Sequence, residues 1–368
     1  MASGAFLPAR GLSAQGERYR GGTRLRPLAK ALGIVIVALI VIGAAATWQV
    51  NRFLDSPVNV SEDGASFEIA PGTPFARVSQ RLADEQIIAH PTLLSIFARV
   101  SGKAESVHAG EYFIEPGTTT AGLLEQFTSG DVLLYSFTIV EGWNQWDLLR
   151  AMRAHPQIDA QMSEEDWPAL LEELGSDTRH PEGLFLPETY HFPRNTSDRK
   201  LLKQAYGLMQ KVLNEEWPKR DPDAPVKTPY ETLILASIVE KETARADERQ
   251  RIAGVFARRL DKRMRLQTDP TVIYGIGPAF NGNLTRRDLR TDTPYNTYTR
   301  GGLPPTPIAM PGRDAIRAAL HPASGNELYF VATGLSDGSH KFSETKAEHD
   351  AAVAEYLKRL RSNRKKGM

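Results

Sequence analysis

The chain has 368 residues, a formal net charge of +1 and no cysteine. Hydrophobic residues make up 41% and charged residues 24%, which is typical of packed proteins and excludes wholesale disorder. The near-zero charge provides no general basic field for nucleic acid. Without cysteine there are no disulfides, thiolate nucleophiles or thiolate metal ligands. The length predicts about two globular domains.

The N-terminal region indicates a membrane anchor. Residues 1–30 are rich in arginine, and residues 31–50 are apolar and uncharged. Twenty helical residues reach about 30 Å, the thickness of the hydrocarbon core. Because the basic flank is N-terminal, we expect the tail in the cytoplasm and the remainder outside. A cleaved signal peptide is the alternative, since Ala44, Ala45 and Ala46 could form a cleavage site.

A short pattern occurs three times after the apolar segment. It covers Phe67 to Gly72, Tyr112 to Gly117 and Phe137 to Gly142, each with an aromatic residue, an isoleucine two positions later and a glycine three positions after that. Apolar residues follow six and ten positions past each glycine. The pattern predicts a strand, a tight turn and a helix. We expect the three copies to form a small α+β module that binds an envelope polymer; a spacer is the alternative.

The middle and end of the chain show further elements. The pattern predicts helices from residue 163 to 171 and from 201 to 217, with a break at 221–225 that marks a subdomain edge. A helix at 313–320, a strand at 328–332 and a helix at 346–361 follow. Residues 295–305 form a polar and aromatic loop that suits sugar binding, although a plain surface loop has the same composition.

One helix organises the second half of the sequence. Thr228 can cap it, Pro229 suits its first position, and Glu231 stands where a capping box places an acid. Leu235, Ile238, Val239 and Glu242 recur at helical spacing and predict an apolar stripe that ends in a carboxylate. Asp247 is expected to cap a second helix through Ile252, Val255, Phe256 and Leu260.

The position of Glu242 predicts an unusual proton affinity. Partial burial and the negative end of the helix dipole both disfavour the carboxylate, whereas Lys241 and Arg245 favour it. A carboxyl group that stays protonated near neutral pH suits general-acid catalysis. The alternative is that Glu242 pairs with Arg245 or with a base distant in the sequence and only stabilises the helix. Asp269, before Pro270, is either a helix cap or a functional residue.

Other site chemistries lack their signatures. The eight histidines are scattered without an HExxH motif or metal-ligand spacing, and neither GxSxG nor a phosphate-binding glycine loop occurs. We therefore expect no metal and no cofactor. Carboxylate chemistry remains, with tyrosine, asparagine and glutamine side chains available to bind a polar chain.

Three motifs together resemble one family. They are Ala236 to Ala244 (ASIVEKETA), Leu266 to Gly275 (LQTDPTVIYG), and Tyr295 to Tyr298 (YNTY) followed by Gly302 to Pro305 (GLPP). They resemble the endolytic murein transglycosylases, the MltG or YceG-like family, over roughly residues 30 to 360. The likeness includes the single anchor and a LysM-like region around the first repeats.

The resemblance implies a function. It implies cleavage of peptidoglycan between N-acetylmuramic acid and N-acetylglucosamine within nascent strands, which leaves 1,6-anhydro ends and terminates strand elongation. It assigns the catalytic acid to Glu242. We expect polar residues of the motifs to bind the glycan: Gln267, Thr268, Asp269, Tyr274, Tyr295, Asn296 and Tyr298. Cell-wall synthases and the inner membrane are the expected partners, without nucleic acid. A glycan-binding scaffold and a peptidoglycan hydrolase are the alternatives.

The expected fold class is α+β, with a single transmembrane helix, LysM-like α/β repeats and a mixed α+β catalytic domain. The expected divisions run as follows: a basic tail at 1–30, the transmembrane helix at 31–50, a linker at 51–64, the LysM-like region at 65–135, a connecting subdomain at 136–225 and the catalytic region with its basic C-terminal tail at 226–368.

Overall fold

The computed structural model describes the backbone of residues 25–365 and the side chains of residues 30–362. The chain forms two compact units, Met1–Val132 and Leu133–Met368. The elements of the first unit are α1 (Leu25–Leu54), β1 (Ala65–Ile69), α2 (Phe75–Asp84), α3 (Pro91–Val100), β2 (Gly110–Ile114) and α4 (Thr120–Ser129). Both strands and helices are present, as the sequence predicts.

Helix α1 confirms the predicted N-terminal apolar helix. An 18-residue window of its Lys30–Leu54 part has a mean hydropathy of 2.5, and this part is long and apolar enough to cross a membrane. A signal sequence near an N-terminus has the same length and apolar composition. Most of the predicted basic tail, residues 1–24, lies outside the described residues.

The first unit has one hydrophobic core, formed by its helices and a two-stranded sheet. β1 and β2 are antiparallel, with Phe67 opposite Tyr112. Both side chains are buried, and the ring of Phe127 from α4 lies 4.7 Å from that of Tyr112. The inward positions are those that the repeat pattern predicts, because alternate strand residues and helical spacing place the apolar side chains on one face.

The segment 51–64 differs from the expected polar linker. Helix α1 continues to Leu54, and Phe53, Leu54 and Val58 are buried in the core of the first unit. The backbone N–H of Val58 also donates to the Thr118 carbonyl at 2.8 Å. Burial of these three apolar side chains attaches the mostly polar stretch to the first unit. Helix α1 therefore continues directly into that folded unit.

The second unit contains the remaining elements. Its helices are α5 (Gln145–Ala154), α6 (Trp167–Glu173), α7 (Asp198–Glu216), α8 (Pro229–Glu242), α9 (Arg249–Asp261), α10 (Asp269–Ile276), α11 (Arg313–Leu320) and α12 (Lys346–Lys365). Its strands are β3 (Leu134–Thr138), β4 (Ile158–Asp159), β5 (Thr189–Pro193), β6 (Thr196–Ser197), β7 (Tyr329–Ala332) and β8 (His340–Ser343).

The three repeats have the predicted local structure but do not form one module. The turn glycines Gly72, Gly117 and Gly142 have φ values of 74°, 85° and 78°, which glycine adopts without steric cost. The first two copies supply the paired strands β1 and β2. The third supplies β3, which pairs with β5 in the second unit, Phe137 opposite Tyr190. Strand pairing depends on long-range partners, which a local pattern does not encode.

The second unit has one continuous core around α8. All residues from 232 to 239 are buried, so α8 is a central helix and not the amphipathic helix with one apolar stripe that the sequence predicts. Residues on both sides of the break at 221–225 share this core, Leu213 and Leu235 among them. The structure therefore has no division at the expected subdomain edge.

Candidate active site

Glu242 is the last residue of α8. The Thr228 hydroxyl accepts from the Glu231 N–H at 3.1 Å and starts the helix, as predicted. The Glu231 carboxylate accepts from the Lys227 N–H at 2.6 Å. Thr243 then adopts extended backbone and ends the helix. Glu242 is partly buried and stands beside the carbonyl end of the helix, where the dipole disfavours a negative charge.

Thr268 is the hydrogen-bond partner of Glu242. Its hydroxyl donates to Glu242 Oε1. Burial raises the pKa of the Glu242 carboxyl; the Thr268 hydrogen bond, His340 and Arg259 lower it, and Asp269 raises it. Burial is the largest of these causes, so the pKa lies above the ordinary value for glutamate. The pKa of Glu242 is thus raised, as predicted, although Lys241 and Arg245 are not among the causes of the shift.

Arg245 does not pair with Glu242. Its guanidinium bonds Asp247 at 2.7 Å and the Asp337 carbonyl at 3.0 Å. Lys241 Nζ donates to the Gly142 carbonyl at 3.1 Å. The alternative that Glu242 serves as an ion-pair partner of Arg245 is therefore wrong. Asp247 is also not the expected cap: its carboxylate faces Arg245, and α9 begins at Arg249.

Gln267 has a strained backbone next to the site. Its φ is 52°, in the left-handed region that glutamine rarely adopts. The Gln267 N–H donates to the Thr297 carbonyl at 3.2 Å. Arg259 holds the same segment by donating to the Leu266 carbonyl at 2.7 Å. Strain of this kind persists only where surrounding contacts impose it, and such residues cluster at functional sites.

Arg259 was missed by the sequence reasoning. It is buried, and its Nε donates to the Leu328 carbonyl at 2.6 Å. A signal was available, because Arg259 follows Val255 by four positions and Phe256 by three, on the apolar face of α9. A basic residue at such a position is expected to have specific acceptors.

Asp269 and Tyr298 form a second pair near Glu242. The Tyr298 hydroxyl donates to Asp269 Oδ1 at 2.6 Å. Burial raises the pKa of Tyr298, and the charges of Asp269 and Glu242 raise it further. Asp269 is exposed and is the first residue of α10; Thr268 occupies the cap position without a side-chain capping bond. The cap interpretation of Asp269 is therefore wrong.

The side chain of Asn296 bonds to the backbone of its own loop. It is fully buried, and its amide group donates to the carbonyls of Asp288, Leu289 and Thr291 at 3.2, 3.2 and 2.7 Å. Its Oδ1 accepts from the Tyr298 N–H at 2.9 Å. These contacts engage both the amide nitrogen and Oδ1 of Asn296 and stabilise the loop. The Asn296 side chain therefore has no group left to bind a glycan, contrary to the expectation.

The hydroxyl groups of Tyr274 and Tyr295 bond to residues other than Glu242. The Tyr274 hydroxyl donates to Glu182 Oε2 at 2.9 Å, and the Tyr295 hydroxyl bonds Thr306 at 2.9 Å. Their rings are 5.0 Å apart. Of the seven predicted binding residues, the structure thus gathers Gln267, Thr268, Asp269 and Tyr298 around Glu242 and directs the hydroxyls of Tyr274 and Tyr295 elsewhere.

His340 is a further residue near Glu242 that the sequence reasoning missed. It lies on β8, which was not predicted. Glu248 holds it twice: the His340 N–H donates to Oε1 at 3.0 Å, and Nδ1 lies 2.7 Å from Oε2. A four-residue strand that follows a glycine- and serine-rich turn has little signal of its own, so its pairing with β7 defines it.

Glu240 belongs to a separate network. Its Oε2 accepts from the Gly312 N–H at 3.0 Å, and Arg249 lies 3.5 Å from Oε1. It therefore lies on another face of α8 than Glu242, as predicted, but is buried. Within the described residues, no cluster of three histidine, aspartate or glutamate side chains could hold a metal ion.

These features define an α+β protein with an N-terminal apolar helix and one partly buried carboxyl group at the centre of its candidate site. The sequence model of the YceG-like family matches residues 67–355. The chain belongs to the YceG-like family.

Named relatives share most of the chain. The endolytic murein transglycosylase of Bacillus subtilis strain 168 is 30% identical over 338 residues, 86% of this chain and 91% of that protein. The Streptococcus pneumoniae D39 protein of the same name is 26% identical, covering 88% of this chain and 64% of its own length. A crystal structure of a putative yceG-like protein from Listeria monocytogenes is 26% identical, covering 79% of this chain and 99% of that one, with a TM-score of 0.48.

Proposed function

We propose that the protein is an endolytic murein transglycosylase. It cleaves the bond between N-acetylmuramic acid and N-acetylglucosamine inside peptidoglycan strands and leaves 1,6-anhydro ends. The observation that carries the proposal is Glu242, a carboxyl group with a raised pKa at the end of a buried helix, hydrogen-bonded to Thr268. The name of the Bacillus subtilis relative supports the same activity.

The chemistry requires one carboxyl group. Thr268 donates to Oε1, so Oε2 is the oxygen that carries the transferable proton. Glu242 gives that proton to the glycosidic oxygen as the bond to the muramic acid C1 breaks. The C6 hydroxyl of the same sugar then attacks C1, and the Glu242 carboxylate takes its proton. The enzyme returns to its starting state without consuming water.

A single carboxylate suits intramolecular attack. Ordinary glycosidases use two carboxyl groups, one of which activates water or acts as the nucleophile. Here the attacking hydroxyl belongs to the substrate and is already close to C1, which replaces the positioned water. Glu240 is not a second catalytic group, because Gly312 and Arg249 engage its two oxygens.

Four polar residues form the proposed glycan contact around Glu242: Gln267, Thr268, Asp269 and Tyr298. Gln267 and Asp269 are exposed, and Tyr298 is partly buried with its ring beside them. Exposed amide and carboxylate groups can bond sugar hydroxyls, and an aromatic ring can stack on the apolar face of a sugar. Tyr274, Tyr295 and Asn296 instead bond to protein groups: Tyr274 to Glu182, Tyr295 to Thr306, and Asn296 to carbonyls of its own loop.

Location and partners complete the proposal. Residues 1–30 lie in the cytoplasm, α1 crosses the inner membrane once, and the remainder acts on nascent glycan outside, where it terminates strand elongation beside cell-wall synthases. The LysM-like region at 65–135 binds the glycan without doing chemistry. The apolar helix and the basic flank before it support this orientation.

Mass spectrometry of digested glycan strands tests the activity. An anhydro end is one water lighter than a reducing end, so the products of a lytic enzyme and of a hydrolase differ in mass. We expect internal cuts with anhydro ends from the wild-type chain and no new ends from Glu242→Gln. Reducing ends alone would identify a hydrolase. Strand binding without cleavage by the wild type would identify a scaffold.

A further inference from the structure

Glu182 is a fully buried carboxyl group outside the proposed mechanism. Two groups donate to the same oxygen, Oε2: the Tyr274 hydroxyl at 2.9 Å and the Gln145 backbone N–H at 3.1 Å. The other oxygen, Oε1, is buried and has no hydrogen-bond partner. Oε1 lacks a partner in either form, but the ionised form also buries a negative charge, whereas the neutral acid carries its proton on Oε1 without charge and keeps Oε2 as the acceptor.

The surroundings of Glu182 favour the neutral form. Asp147 on α5 adds a negative charge, and the groups facing Glu182 from α8, α10 and the following loop are the phenols Tyr230, Tyr274 and Tyr295. His180 accepts from the Glu182 N–H through Nδ1 at 3.4 Å, so that nitrogen is unprotonated. Within the described part of the chain, no basic side chain pairs with Glu182. Burial, the largest cause, raises its pKa to about 8.

Tyr274 connects Glu182 to the candidate active site. It lies on α10, the short helix that begins immediately after Thr268. Six residues of helix separate Tyr274 from Thr268, about 9 Å along the axis. The Tyr274 ring also packs between Trp146 at 5.4 Å and Tyr295 at 5.0 Å, so its hydroxyl has one well-defined direction. A shift of Tyr274 would therefore move the start of α10, and with it the Thr268 hydroxyl.

We propose that Glu182 is a positioning residue that, as a neutral carboxylic acid, holds Tyr274 and through α10 keeps Thr268 in contact with Glu242. The inference rests on the proposed function, because Glu242 must be the catalytic acid for this contact to affect turnover. When Glu182 ionises, its bonds from Tyr274 and Gln145 persist, but the buried charge has no cationic partner and is stabilised only if water enters the site, which loosens the packing of Tyr274 and α10. Full activity then requires two protonated acids, Glu242 and Glu182.

The dependence of kcat on pH tests the inference with the full-length chain in detergent and purified glycan strands. At pH values above the pKa values of both acids, log kcat of the wild type should fall by about two per pH unit, since both acids must be protonated. Glu182→Gln has a permanently neutral side chain with the same acceptor, and its log kcat should fall by about one per pH unit. Glu188→Gln, an exposed change in the same segment, is the matched control and should keep the wild-type slope. A wild-type slope in Glu182→Gln would overturn the inference.

Truncating the Glu182 side chain distinguishes a role in positioning Thr268 from a role in binding the glycan strand. Glu182→Ala leaves the Tyr274 hydroxyl without its acceptor, and a misplacement of about 1 Å at a catalytic contact can cost about a hundredfold in rate. We expect that loss in kcat, with strand affinity unchanged and with Glu182→Gln restoring activity at neutral pH. Tyr274→Phe should lower kcat in the same way if Glu182→Ala fails to fold. Wild-type kcat in a folded Glu182→Ala or in Tyr274→Phe would contradict the proposal.

Thermal unfolding tests the protonation of Glu182 without depending on the proposed function. The raised pKa means that the folded wild type retains a proton that the unfolded chain releases, so its stability should fall as pH rises towards about 8. Glu182→Gln lacks that loss and should be more stable than wild type at high pH. If the wild type cleaves no strands at any pH, the proposed function fails, while this comparison still reports the protonation of Glu182. An identical pH dependence in both proteins would overturn the neutral-acid assignment.

Discussion

The Thr268 hydroxyl donates a hydrogen bond to Oε1 of Glu242. Thr268 is itself fixed: its N–H donates to the Thr297 hydroxyl at 3.1 Å, and its carbonyl accepts from the Thr271 hydroxyl at 2.8 Å. The bond orients the Glu242 carboxyl group and stabilises its ionised form, which is the form present after the proton has been given to the leaving oxygen. Thr268 is thus a direct partner of the proposed catalytic acid.

Replacing Thr268 with valine should change the pH dependence of cleavage. The Thr268 hydrogen bond lowers the pKa of Glu242, so its loss should raise that pKa and move the alkaline decline of kcat to higher pH. At neutral pH kcat should fall roughly tenfold, because the developing carboxylate loses a donor. Thr268→Ser keeps the hydroxyl and should stay near wild type. A Thr268→Val profile identical to that of the wild type would show that the bond has no catalytic effect.

Glu242→Gln should abolish most turnover while preserving the fold. General acid catalysis contributes about 10²–10⁴-fold, so we expect at least about a hundredfold loss in kcat, with strand binding retained. Because the folded-state pKa of Glu242 is raised, the wild type loses stability as pH rises through that pKa. Glu242→Gln should therefore become more stable relative to wild type as pH increases. Single-turnover kinetics and thermal unfolding measure the two effects.

Glu240→Gln is the control for that experiment. It keeps the acceptor for the Gly312 N–H but removes the charge that faces Arg249, so it should reduce thermal stability. Its turnover should stay close to wild type below the unfolding temperature, because the side chain lies on another face of α8. A comparable loss of kcat in both variants would refute the assignment of Glu242 as the single acid.

Phe113 offers a test of glycan binding by the first unit. This aromatic residue of β2 is 43% exposed. If its ring stacks on a sugar, Phe113→Ala should remove about 1 kcal/mol of binding, which raises KM roughly fivefold and leaves kcat unchanged. Ile96→Ala, an exposed apolar change on α3, is the control and should leave KM unchanged. A lower kcat with unaltered strand affinity would contradict the proposed division of labour.

Reporter fusions test the orientation of α1. Reporters that are active only outside the cytoplasm, joined after Arg52 and after Met368, should both be active, because the arginine-rich segment precedes the apolar helix. A reporter that works only in the cytoplasm should be inactive at both positions. Cytoplasmic activity at either junction would show that the predicted topology is wrong.

Some features follow from the sequence by itself. The hydropathy of residues 31–50 predicts the apolar helix, since an uncharged apolar run of this length matches the thickness of the hydrocarbon core. The start of α8 follows from Thr228 and Pro229, whose side chains satisfy local backbone requirements. Each strand–glycine–helix repeat also forms where its period predicts. These are local properties, determined within a few residues along the chain.

Long-range contacts needed the tertiary structure. Nothing in the third repeat indicates that β3 pairs with β5, and nothing near Thr268 indicates that its hydroxyl meets Glu242, 26 positions earlier. Likewise, the tyrosine of the LQTDPTVIYG motif faces Glu182, 92 positions away. Local propensity determines which elements form and which faces are apolar. The direction of a polar side chain depends on the partner that packing brings within hydrogen-bond distance, and only the folded chain decides that.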